Sequence, residues 1–147
     1  MDQNFAQLAV PRLWALEDEV LIAWRAALGR ARVLQSIDID RQLRQEWRFL
    51  VSRMAAGRLG NDEEIRARGG WHTGGLGCDV AAVRLGFAAI RDVTLNALAN
   101  DASLTVAQRL ELVRSCAAFL HDYAMLYAEG ATYARPQQRL VARSIGS

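Results

Sequence analysis

The chain has 147 residues, 18 basic and 16 acidic, and is 52% hydrophobic and 23% charged; this describes one globular domain with a single core and excludes a disordered segment. Every basic residue is arginine, so a P-loop lysine, a Schiff-base lysine and a lysine general base are all excluded. The charges nearly balance and the arginines are dispersed, which leaves no basic stripe for nucleic acid.

Alanine, leucine and arginine dominate, β-branched runs are missing and there are two prolines, a composition that favours helix throughout. The first helix is predicted to start near Pro11, a residue suited to a first-turn position. Leu13, Leu16, Val20, Trp24, Leu28 and Ala31 then recur at steps of three and four along one face. Asp38 or Asp40 is placed to cap a second helix, with Ile39, Leu43, Trp47, Leu50 and Met54 as its stripe and Gly57 as its stop. NDEEIRAR (61–68) reads as a short helix, with Asn61 as cap and Glu64 at the reciprocal position of a capping box.

Next comes GGWHTGGLGCDV (69–80), which crowds five glycines around Trp71, His72 and Cys78. It follows a predicted helix rather than a strand and lacks both the dinucleotide and the P-loop spacing. It reads as a sharp turn between helices, anchored in the core by Trp71. Asp79 starts another long helix, with Val83, Phe87, Ile90, Thr94 and Ala97 facing inward and Asn100 and Asp101 at its end. Thr105 and Gln108 form a capping box for the last helix, expected to run to about Ala134 before Pro136. The fold class is therefore all-α: a single helical bundle, globin-like or four-helix, of four long helices and one short one over residues 1–135, with 136–147 as a tail or the start of a linker.

The last helix has two apolar flanks. Val106, Leu110, Val113, Ala117, Leu120, Ala124 and Tyr127 form one; Leu112, Cys116, Phe119, Tyr123 and Leu126 form the other, turned by about a third of the circumference. Two such flanks need two burial partners. The domain's own core supplies one, and the second flank (112, 116, 119, 123, 126) is expected to be a homodimer interface or to meet a neighbouring helix.

His72, Cys78, Cys116 and His121 are the ligand types of a zinc site, but Cys116 and His121 are five apart on one helix and diverge by about 140°. No metal or other cofactor is expected. A haem or small-ligand sensor using His72 or His121 remains the alternative, since a helical domain of this length is also globin-sized; there is no C-x-x-C-H. Cys78, just ahead of the Asp79 cap, would feel the positive end of a helix dipole and is the candidate for a thiol-dependent enzyme, with no triad partner at a suitable spacing. Arg84 and Arg91, seven apart on one flank, either assist anion binding or pair with acids on a neighbouring helix. Two cysteines, no signal-peptide pattern at the start and no apolar run of membrane-spanning length lead to an expectation of a cytoplasmic protein without membrane or nucleic-acid partners.

The segments LEDEVLIAWRAAL, RFLVSRMAAGRLGN, HTGGLGCDVAAVRLGFAAIRDVTL and LVRSCAAFLHDYAMLYAEGATYAR resemble, in this order, the RsbRD-type N-terminal domain of stressosome co-antagonists and bacterial sensor histidine kinases. The matching features are Trp24, His72 with a glycine (Gly74) and the D-V-x-x-V run of 79–83 after it, Arg91 in an I-R-D-V context, and Tyr133. Arg84 stands where such domains often carry an acid, so a polar contact shared at that position is not carried over. The resemblance, which spans most of residues 13–135, implies a helical, non-enzymatic sensory or interaction domain that dimerises and passes a signal to an output module.

Overall fold

The computed structural model describes the backbone of residues 3–33, 38–57, 62–76 and 79–146, and the side chains of 5–33, 38–57, 62–70 and 79–132. Among the described residues the protein is all-α, with six helices: α1 (Gln3–Ala15), α2 (Glu17–Arg30), α3 (Ile39–Ala55), α4 (Asp62–Leu76), α5 (Val80–Ala99) and α6 (Val106–Gly146). Helix α4 lies along α6, α5 packs on both α2 and α6, and α1 meets α3.

The first apolar stripe is buried as the periodicity predicts, from Leu13 through Leu16, Val20 and Trp24 to Leu28. It is carried by two helices rather than one. Pro11 lies inside α1, which begins upstream at Gln3. The chain kinks at Leu16, whose N–H donates to Leu13 O at 3.2 Å in a tighter turn before Val20 N resumes the ladder to Leu16 O. The acids Glu17, Asp18 and Glu19 fill the first turn of α2, where the exposed amide ends favour negative charge.

All five stripe positions of α3 are buried, and Gly57 ends the helix with φ of 75°, its N–H donating to Met54 O at 3.0 Å. Asp38 stands at the N-cap position but makes no capping bond with its side chain. It faces Arg41 instead, while Asp40 pairs with Arg25.

The glycine-rich turn is overturned. The short helix expected over 61–68 continues as α4 through Gly69, Gly70, Gly74 and Gly75 to Leu76. The reason for glycine at 69 is packing: a Cβ there would collide with the backbone carbonyl of Tyr127, and one at Gly130 would collide with that of Arg66. Helices α4 and α6 thus touch backbone to backbone, and only glycine fits at the two contact points. Glu64 bonds Arg53 on α3 at 2.8 Å; the proposed cap Asn61, Cys78 and the side chains of Trp71 and His72 lie outside the described residues.

Asp79 caps α5, its carboxylate accepting from Ala82 N at 2.8 Å. Val83, Phe87, Ile90 and Thr94 are buried, and Ala97 is half-buried. The capping box is present in full: Thr105 N donates to Gln108 Oε1 at 2.9 Å, and Gln108 N to Thr105 Oγ1 at 3.1 Å. Helix α6 does not stop before Pro136 but continues to Gly146, for 41 residues. Among the described residues there are six helices, where four long ones and one short one are expected from the sequence.

Candidate functional site

Two places in the bundle hold polar chemistry. The first is internal. Glu46 on α3 is 1% exposed. Its carboxylate accepts the Tyr123 hydroxyl at 2.6 Å and the Arg68 guanidinium at 3.0 Å, tying α3 to α6 and α4. The Arg68 guanidinium also lies 3.5 Å from the centroid of the Phe49 ring, and Arg53 lies 4.9 Å from the same ring. Burial, and next the negative charge of Glu46, push the Tyr123 hydroxyl upward, so it stays protonated and acts as a donor.

Around Tyr123 sits an aromatic cluster. Phe87 of α5 is 6.1 Å from Trp24, 5.8 Å from Tyr123 and 5.1 Å from Tyr127 between ring centroids, in tilted and edge-on arrangements. Gly86 makes room for it: a Cβ there would stand 2.6 Å from Trp24 Nε1. The space between α2, α5 and α6 is therefore filled by rings.

The second place is on the surface. Two adjoining hollows of about 190 and 280 Å³ run between α5 and α6 and share Arg84, His121 and Ala124. Phe87, Leu120 and Ala88 floor one; Met125, Ala128 and Val80 line the other. Arg91 borders the first and Glu129 the second. His121, the histidine of the ligand-sensor reading, is exposed on this groove and turned away from the buried Cys116.

The expected dimer flank is corrected by burial. Leu112, Cys116, Phe119 and Tyr123 are packed inside their own chain, and Leu126 is half-buried against the core. Both stripes exist, but the second faces the protein's own core and the first is divided between core and solvent. On the first stripe Leu120 and Tyr127 turn inward, whereas Val106 and Leu110 are each 64% exposed, and Ala117 and the groove residue Ala124 are half-buried.

Cys116 is no nucleophile at neutral pH. Its thiol lies 3.9 Å from Met54 Sδ in the core, and burial pushes it up to about 12. Among the described residues no group of three or more His, Cys, Asp and Glu side chains is placed to hold a metal ion, and no helix is long and apolar enough to cross a membrane.

Sequence reasoning missed Glu46, Arg68 and Phe49. The signal for Glu46 is visible in retrospect, because it falls three after Leu43 and four before Leu50, on the buried stripe itself. Nothing comparable marks Arg68, whose role depends on how α4 is set against α3. No family model matches this sequence, and no curated protein or solved structure matches it either.

Proposed function

We propose that this chain is a non-enzymatic helical sensory or protein-interaction domain of RsbRD type, which self-associates and relays its state to an output module. The observation that carries the reading is the open flank of α6. Val106 and Leu110 stand exposed on it, Met125 is exposed in the groove further along α6, and Leu85 of α5 is exposed as well. Exposed apolar side chains grouped on one helix flank are a place for another molecule to bind.

The polar centre fits a relay better than it fits catalysis. The Glu46 carboxylate is buried and occupied by a hydroxyl and a guanidinium. Glu46, Tyr123 and Arg68 sit on three helices, so a shift of α6 is felt at α3 and α4. Helix α6 is also the longest element, 41 residues against 20 for α5, a continuous rod of about 60 Å at 1.5 Å per residue. A continuous helix transmits rotation or translation from one end to the other.

Light scattering coupled to size exclusion tests the reading. A dimer is expected over a range of concentrations, and Leu110→Arg is expected to yield a folded monomer. A wild-type protein that stays monomeric at every concentration would remove the self-association.

A further inference from the structure

Eight of the described arginines are paired with acids. Arg12 holds Asp101 at 2.7 Å, Arg44 and Arg48 share Glu17, and Arg66 bridges Glu63 and Glu129. Arg84 and Arg91, like Arg30, Arg32, Arg109 and Arg114, have no carboxylate partner among the described residues, but these two border one hollow together with His121. They lie two helical turns apart on α5, opposite His121 of α6. Two guanidinium groups facing an apolar floor form the complement of an acidic head on an apolar body.

The second hollow sets the orientation. It continues from the first past Ala124 to Met125 and Ala128, and Glu129 at its far end is already paired with Arg66 at 2.9 Å, so the uncompensated positive charge lies at the Arg84–Arg91 end. We infer that the α5–α6 groove binds a small amphipathic organic anion, with its acidic head between Arg84 and Arg91 and its apolar body along Ala124, Met125 and Ala128. This rests on the reading of the α5–α6 face as the working surface of a sensory domain and gives that face a ligand class.

The test uses two probes with the same ten-carbon tail and opposite heads, decanoate and decyltrimethylammonium, titrated into the full chain by calorimetry. Decanoate is expected to bind and the cation not to. The exposed double variant Arg84→Gln/Arg91→Gln, checked by thermal melt to be folded, is expected to bind decanoate roughly tenfold more weakly, as loss of charge-assisted bonds dictates. Ala128→Asp, which puts a carboxylate beside the tail, is expected to weaken it as well. Equal binding of the two probes, or unchanged decanoate affinity in the double variant, overturns the inference. Light scattering on the same samples separates the two readings: a dimer indifferent to head charge sinks the ligand class alone, and a monomer that still selects decanoate sinks self-association alone.

Discussion

Tyr123 donates its hydroxyl to Glu46 at 2.6 Å, a bond between α6 and α3 in which both partners are buried. The carboxylate keeps a second donor in Arg68. Tyr123→Phe therefore leaves one carboxylate oxygen without its hydroxyl and is expected to cost about 2 kcal/mol in denaturant unfolding. Glu46→Leu removes the acceptor of both the hydroxyl and the guanidinium, and its cost should be larger. A double-mutant cycle between the two is expected to show coupling of about 1 kcal/mol or more; additive effects would mean the bond contributes nothing.

Glycine-to-alanine changes should go in opposite directions along this chain. Alanine normally stabilises an exposed helix position by about 0.5–1 kcal/mol. Gly29, exposed near the end of α2, is expected to follow that rule. Gly69→Ala and Gly130→Ala place a methyl against the opposing helix backbone, and each should destabilise by about 2 kcal/mol or more as α4 is forced off α6. Melting temperatures of the three single variants decide it.

Asp101 joins the turn before α6 to α1. It accepts from Ser103 Oγ and N and from Arg12, and these bonds lower its carboxyl to about 2 from an ordinary 3.8, the Ser103 hydroxyl contributing most. A lowered folded-state value stabilises the native form above the unfolded one, so the contribution is whole above pH 4 and is lost as pH falls through about 2. Asp101→Asn should lower the melting temperature at pH 7 and leave it nearly unchanged at pH 2. Equal losses at both pH values would show that the charge is irrelevant.

The Cys116 thiol, buried and pushed up to about 12, should react with Ellman's reagent only when the protein opens. In a Cys78→Ser background, labelling is expected to be slow in buffer and to accelerate with denaturant in step with unfolding. Rapid labelling of the native protein would place this flank of α6 on the outside after all.

What could be read in advance was local. The steps of three and four at Leu13 to Leu28 and at Ile39 to Met54, the Asp79 cap and the Thr105–Gln108 box depend on neighbours within one or two turns, and each is found as expected. Proline and glycine misled because their usual meaning is also local. Pro136 and the 69–75 glycines weaken a helix, yet α6 and α4 run through them; at Gly69 and Gly130 the observed gain is close approach to the opposing backbone.

Composition and periodicity alone determined that the chain is helical, that α6 has two apolar flanks and that no lysine chemistry takes place. Which flank of α6 faces inward, which arginines lack an acid and which carboxylate is buried were decided only by the packing of α3, α4 and α5 around it. Periodicity sets a side chain's direction about its own axis, whereas burial and charge pairing depend on what another helix, distant in the chain, brings to that side.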